Sequence, residues 1–543
     1  MKKFLLICLS AMIFFTACGK GRSETEKTIN EEYPKIINDN YKNYYEIYLG
    51  GFYDTDKDGV GDLKGLIKKL DYLNDGDPKT KTDLGITGIW LMPIMPSPTY
   101  HKYDVTDYMA IDPQYGTMAD FEKLSKLCKE RGIDLIIDLV LNHTSAQHPW
   151  FQSAIKSMRI EPCGQKVCKY EEKCREHNPY CQYYNFKQDS QGKGMYVVPG
   201  AGDWYYEAGF WDQMPDLNLD NPALRDEILK ISKFWIEKGV KGFRLDATTQ
   251  FYAENTTKNV EFLSWFTTEL KKIKPDIYMV GEAWTDESII KDMYASKLPS
   301  FFNFGFSQVD GNFIKSVRMG TGATLAKELE AWQKDIRSKY PDAIDAAFLS
   351  NHDNARSAGG LGRKLVLEKM GAAVYMLAPG NFFIYYGEEI GMTGSGIDEN
   401  KRQPLVWSLK NKTGITKPVA GSTNSELLKA GIDQQLKDKN SLLNYYRDII
   451  RLKDLNPEIA RGTITALDLN NESICAYKSE YNGSSVYIIH NLSKQEVDIN
   501  FPGDIFSNVE LRGKLTADGG TIELNKSNLK MPSYSTVILR EKS

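Results

Sequence analysis

Apolar segments of strand length recur along this chain, separated by polar loops and amphipathic helices, and this rhythm limits the possible folds more than any other feature. Six of them read GITGIWLMPI (85–94), GIDLIIDLVLNH (132–143), VKGFRLDA (240–247), IYMVGEAW (277–284), DAAFLSNHD (345–353) and FFIYYGEEIG (382–391). YEIYLGGF (45–52) precedes them, and FFNFGF (301–306) falls between the fourth and fifth. The intervening helices are well punctuated. Asn221 caps one with Pro222 in its first turn and Gly239 beyond its end; Phe121, Leu124 and Cys128 line one face of another that Gly132 stops. Strands joined through helices pair in parallel. Eight such units predict a closed (β/α)8 TIM barrel.

Three stretches break the rhythm. The first residues, MKKFLLICLSAMIFFTACGK, place two lysines before an apolar run and end in small residues around Cys18. That run is too short to span a bilayer and reads as an export signal over 1–17. Residues 18–40 are polar and aperiodic, as expected of a tether. The barrel is expected over 41–142 and 216–455, interrupted after its third strand by an irregular inserted domain (143–215) rich in Tyr, Cys, Gly and Pro. Beyond 456, SICAYKSEYNGSSVYIIHNL holds two alternating runs joined by Asn482–Gly483, a hairpin signal. Residues 456–543 are therefore expected to form a small antiparallel β-sandwich.

Polar residues gather where these strands should end: Asp138, Asn142 and His143; Arg244 and Asp246; Glu282; Asn351, His352 and Asp353. In a (β/α)8 barrel that end carries the active site. Residues two apart on a strand share a face, so Arg244 and Asp246 should pair. An arginine-paired carboxylate, a second carboxyl and a third acidic group converging on one mouth suit glycoside hydrolysis, which needs a nucleophile and a proton donor.

DLVLNH, GFRLDA, GEAW and FLSNHD, in this order, resemble the four best-known segments of the α-amylase family, glycoside hydrolase family 13, and the resemblance runs from about Tyr41 to the C-terminus. It implies that Asp246 is the nucleophile, Glu282 the acid/base and Asp353 the third carboxylate. It likewise implies that His143 and His352 bond the sugar being cleaved, that Tyr103 stacks beneath it, and that Arg244 orients Asp246 and keeps it ionised. Glu282 must instead stay protonated until it delivers its proton. SPTYHKYD (97–104) contributes Tyr100 and Asp104 as further substrate-binding candidates. Tyr100 stands where exo-acting relatives carry a pocket-closing aspartate, which implies an open cleft. MPDLN (214–218) resembles a motif of the group between oligo-1,6-glucosidases and neopullulanases, several of them bacterial lipoprotein amylases. Where many amylases carry a lysine and a histidine after the nucleophile, this chain has Thr249 and Gln250.

DTDKDGVGD (54–62) sets Asp54, Asp56, Asp58 and Asp62 around a turn at Gly59, a pattern suited to a hard cation. Read with the family it is a calcium loop, Val60 lending its carbonyl; a second family calcium site would use Asn142. Cys163, Cys168, Cys174 and Cys181 cluster in the inserted domain. In an exported chain they read as two disulfides with three possible connectivities. A four-cysteine zinc site is the alternative, with spacings wider than a C-x2-C pair. Cys128 and Cys475 fall in apolar contexts and are expected to be core thiols. Cys18 lies in a segment resembling a bacterial lipobox, which implies a lipid anchor and attachment to the cell envelope.

A net charge of −4 suggests no nucleic-acid partner. The expected protein is a monomeric, calcium-binding, lipid-anchored retaining endo-α-amylase acting on α-1,4 bonds of starch, glycogen and maltooligosaccharides. An exo-α-glucosidase, a neopullulanase-like enzyme or an α-glucan transglycosylase would use the same groups. A non-enzymatic glucan-binding protein is the remaining reading, and the intact carboxylates and histidines speak against it.

Overall fold

The computed structural model describes residues 32–190, 192–424, 427–500, 508–525 and 528–542. The expected signal, Cys18 and most of the tether lie outside them. Among the described residues no helix is long and apolar enough to cross a membrane. The end of the expected tether is already tied to the fold: Asp39 pairs with Arg461 at 2.7 Å, and Asn381 donates to the Asn40 carbonyl at 3.0 Å.

Eight parallel strands form the central sheet: β1 (Asn43–Ile47), β2 (Gly88–Leu91), β3 (Asp134–Leu139), β4 (Gly242–Leu245), β5 (Tyr278–Gly281), β6 (Ser300–Phe301), β7 (Ala346–Phe348) and β8 (Asn381–Tyr385). Their spatial order is β7-β8-β1-β2-β3-β4-β5-β6, and a parallel bridge from Phe302 to Ala346 closes the barrel. Every apolar run of the sequence thus supplies one strand, though the regular ladder is shorter than the run because the chain turns outward at the polar residues. Gly242 illustrates the packing of neighbouring strands: a Cβ there would lie 1.6 Å from the Tyr278 carbonyl oxygen. The interior is filled by rings rather than open. Tyr44 stacks on Phe383 at 4.6 Å, Phe302 meets Phe383 at 4.9 Å, and Trp90 covers Phe302 at 5.4 Å.

The surrounding helices obey their sequence signals. Asn221 accepts from the Leu224 N–H at 3.2 Å and opens the helix Pro222–Glu237, with Gly239 beyond it at φ +91°. The helix Met118–Glu130 starts at a Thr117–Asp120 capping box and buries Phe121, Leu124 and Cys128. Each such buried side chain contributes about 1.5–3 kcal/mol.

The inserted domain leaves the barrel after β3, and a bridge between His143 and Asp216 forms its neck. It is more regular than expected: a helix (Pro149–Met158) packs beside three antiparallel strands, with Trp204–Glu207 between Phe186–Gln188 and Met195–Val197. Phe151 anchors it, edge-on to Tyr184 at 4.9 Å and to Tyr206 at 5.0 Å. The expectation of two disulfides is corrected: Cys163, Cys168, Cys174 and Cys181 are all unbridged. Cys181 lies apart from the other three, buried with its sulfur 3.6 Å from the Ala154 carbonyl oxygen.

The C-terminal region folds as expected of a sandwich. A five-stranded antiparallel sheet faces a three-stranded one across Ile474, Ile489, Leu529 and Val537. The hairpin Ile474–Tyr481/Ser484–Asn491 turns through Asn482 (φ 50°) and Gly483 (φ 77°), both left-handed as a tight two-residue turn requires. Tyr477 donates to the Leu377 carbonyl at 2.8 Å and ties this domain to the barrel.

Candidate active site

The C-terminal ends of the barrel strands open into a cleft of about 590 Å³ whose lining includes Tyr103, His143, Asp246, Glu282 and Asp353. Strand register brings the first charges together. Asp138 on β3 is the Cα partner of Arg244 on β4, which is partnered by Val280 on β5. Arg244 is 1% exposed and serves three carboxylates: Nη1 lies 2.7 Å from Asp246 and 2.9 Å from Asp138, while Nη2 lies 2.9 Å from Glu282. A buried guanidinium is tolerated only with such pairing, and its rigid fork can hold two carboxylates on separate nitrogens.

The chain then bends. Ala247 takes φ 49° and its N–H donates to Glu282 Oε2 at 2.9 Å. A left-handed non-glycine residue is uncommon, and here it couples the turn after Asp246 to the carboxyl beyond β5. Burial pushes the Glu282 carboxyl up; Arg244 opposes that, Asp246 and Asp353 add to it, and the result is about 7. Burial likewise pushes Asp138 up, to about 6, against the pull of Arg244. Asp138 also accepts from the Tyr103 hydroxyl at 2.9 Å and from the Trp90 indole at 3.3 Å.

The third carboxylate is held from another side. Asp353 lies 2.9 Å from His352 Nε2 and 3.4 Å from Arg402 Nη2. Burial would raise its pKa, but these two cations outweigh burial and hold it well below the usual carboxylate range. His352, fully buried, sits between Asp353 and Glu46; burial favours its neutral form, the two carboxylates win, and its pKa is pushed up to about 10. The Tyr103 ring stacks on His352 with centroids 5.5 Å apart. His143 is buried and its Nε2 has no hydrogen-bond partner among the described residues, leaving that nitrogen for a ligand in the cleft.

Two substrate-binding candidates are elsewhere. Asp104 is fully buried and accepts from Ser97 at 2.6 Å and from Thr99, so it braces its own loop. Tyr100 donates to Asp398 at 2.9 Å and does not line the cleft. Asp398 in turn pairs with Arg402. Asp398 and Arg402 do line the cleft, and the sequence reading missed both. They come from a loop beyond β8 whose polar composition carries no periodic signal. It also missed two exposed rings: Trp284, stacked on Phe304 at 5.4 Å, and Phe210, edge-on to His143 at 5.4 Å. Trp284 was visible within GEAW. Elsewhere in the inserted domain, Tyr206 is core and Trp211 is exposed.

In the acidic loop, carboxylate oxygens of Asp54, Asp56 and Asp62 lie within 4.8 Å of one another, a donor set fitting a hard divalent cation. Asp58 is not among them; its carboxylate accepts from the Val60 N–H at 2.7 Å, as a short turn favours. Three of the four expected carboxylates thus gather in one group. Asn142 donates to Asp216 at 3.0 Å across the neck of the inserted domain.

The family description "Alpha amylase, catalytic domain" matches residues 46–462, and "Alpha-amylase SusG C-terminal domain" matches 474–538. The chain is 38% identical to "Alpha-amylase 3" of Dictyoglomus thermophilum over 92% of its own length and 93% of that protein. Among solved structures it resembles Eubacterium rectale Amy13B (TM-score 0.87, 40% identity, 96% and 99% of the two chains). It also resembles an alpha-amylase from H. orenii (TM-score 0.80, 35% identity, 92% and 99%).

Proposed function

We propose that this chain, which belongs to the α-amylase family and is a glycoside hydrolase, cleaves α-1,4-glucosidic bonds inside starch, glycogen and maltooligosaccharides with retention of configuration. The observation that carries this reading is the single guanidinium, Arg244, gripping Asp246 and Glu282 on its two terminal nitrogens. Two carboxyls held so near each other suit the roughly 5–5.5 Å separation of a retaining pair, not the wider gap that admits an inverting enzyme's water.

In the first step Asp246 attacks the anomeric carbon as Glu282 passes its proton to the glycosidic oxygen, and the leaving chain departs as an alcohol. In the second, Glu282, now ionised, takes a proton from water; the hydroxide equivalent attacks the same carbon and releases Asp246. The raised pKa of Glu282 supplies the protonated form that the first step needs. Asp353, kept anionic by His352 and Arg402, accepts hydrogen bonds from sugar hydroxyls. His143 Nε2 and the face of Tyr103 complete the subsite.

Internal cleavage is supported by Tyr100, which occupies the pocket-closing position and is bound to Asp398 rather than projecting into the cleft. Trp284 and Phe210 offer flat apolar faces on which further glucose units can stack. Asp54, Asp56 and Asp62 would hold a calcium ion, whose contribution is to fix a loop rather than to act on substrate. A lipid on Cys18 would keep the activity at the cell envelope. Digestion of soluble starch tests the reading: internal cleavage releases a spread of maltooligosaccharides at early times. Glucose or maltose alone at low conversion would contradict it.

A further inference from the structure

Residues 161–178 form a loop with neither helix nor strand, and Cys174 and Asn178 are its only buried residues. Val167 is 79% exposed, so apolar burial does not hold this loop to the inserted domain. Cross-linking is the usual remedy where a segment lacks a core. Inside the loop, the sulfurs of Cys163, Cys168 and Cys174 and Nδ1 of His177 all lie within 4.8 Å of one another.

The spacing of these atoms identifies the cross-link. Cys168 and Cys174 sulfurs are 3.6 Å apart; His177 Nδ1 is 3.6 Å from the Cys163 sulfur and 3.1 Å from that of Cys174. Around a tetrahedral zinc with Zn–S of about 2.3 Å and Zn–N of about 2.0–2.1 Å, ligand atoms stand about 3.8 Å (S–S) and about 3.6 Å (S–N) apart. A disulfide needs about 2.05 Å. Three sulfurs also cannot all pair among themselves, and Cys181 is turned away toward Ala154.

The outer contacts agree. His177 Nε2 lies 2.8 Å from the Gln165 carbonyl oxygen, which can only accept. The ring proton therefore sits on Nε2, and the bare Nδ1 lone pair faces the sulfurs, as for a histidine poised to bind a metal. The Cys174 N–H points at the Cys168 sulfur at 3.3 Å, a contact that stabilises a thiolate.

We propose that Cys163, Cys168, Cys174 and His177 form a structural Zn²⁺ site that staples this loop of the inserted domain. All four positions are filled by protein, which makes the site closed and structural rather than catalytic. Binding displaces three thiol protons and leaves a complex of net charge −1. The site is independent of the cleft chemistry and of the acidic loop, whose all-oxygen ligands select a harder cation.

Full-length protein purified under reducing conditions without chelator, and analysed for metal by mass spectrometry, tests this directly. One zinc per chain is expected in the wild type and in Cys181→Ser, and its loss in His177→Ala and in Cys174→Ser. If those variants fail to fold, cobalt-loaded wild type decides: it should show thiolate-to-cobalt charge-transfer bands and tetrahedral visible absorption. Wild type lacking both zinc and those bands would overturn the proposal. So would zinc retained by a folded His177→Ala variant, or a peptide map of protein prepared without reductant showing these cysteines joined as disulfides.

Discussion

Glu46 at the end of β1 and His352 just beyond β7 meet at 2.6 Å, Oε1 to Nδ1, and both are closed to solvent. The pair fixes the imidazole so that its other nitrogen reaches Asp353. Because the folded pKa of His352 is raised from 6.5 to about 10, the native state binds more protons than the unfolded chain between those values. The stabilisation is full below pH 6.5 and is lost as pH rises through 10. Glu46→Gln removes one partner of a buried pair and should cost about 3–5 kcal/mol. Denaturant unfolding as a function of pH should show the wild type losing stability toward alkaline pH and the variant losing less.

Glu282 is pushed up to about 7, and as the proton donor it must enter the reaction protonated. kcat/KM should therefore fall as pH rises through about 7. Glu282→Gln should abolish that alkaline limb along with most activity on starch. Activated aryl glycosides, whose leaving group needs no proton, should suffer less, and pH–rate profiles on both substrates check this.

Arg244→Lys keeps one charge but replaces a planar fork with a single point, so it cannot reach Asp138, Asp246 and Glu282 together. kcat should drop by about 10²–10³-fold, the scale of losing a pre-organised electrostatic group. The melting temperature should fall as well, because a carboxylate is left buried and unpaired.

The barrel was legible because its signal repeats: each apolar run ends in a polar residue, and helix caps such as Asn221 separate the runs. Arg244 and Asp246 were legible because strand alternation alone puts them on one face. What escaped has no period. Arg402 and Asp398 arrive from a loop beyond β8, and only folding shows that Arg402 reaches Asp353 while pairing with Asp398. Asp104 is a substrate-binding candidate within SPTYHKYD, yet in the fold it accepts from Ser97 and Thr99 of its own loop. His177 escaped because four clustered cysteines already form a complete set, for two bridges or for one zinc, whereas the folded loop joins Cys174 and His177, spaced C-x2-H, and leaves Cys181 out.

Asp56 is the cleanest probe of the acidic loop. Asp54 and Asp62 also accept backbone N–H groups, while the exposed Asp56 accepts only a 3.2 Å contact from the Asp58 N–H. Calcium at about 100 times its Kd would add about 2.7 kcal/mol. A calcium-selective chelator should lower the wild-type Tm by several degrees, and Asp56→Asn should already melt at the chelated value. Calorimetry with and without added calcium measures both.

Trp284 is 50% exposed, so Trp284→Ala should leave Tm almost unchanged. Losing a stacking face should raise KM for long maltooligosaccharides more than for short ones. Steady-state kinetics on a chain-length series separates the two.

The two-step reaction through Asp246 is tested most directly by NMR of the products first released from a maltooligosaccharide, before mutarotation. The account predicts the α-anomer at the new reducing end, and its loss in Asp246→Asn. A β-anomer as the first-formed product would contradict it.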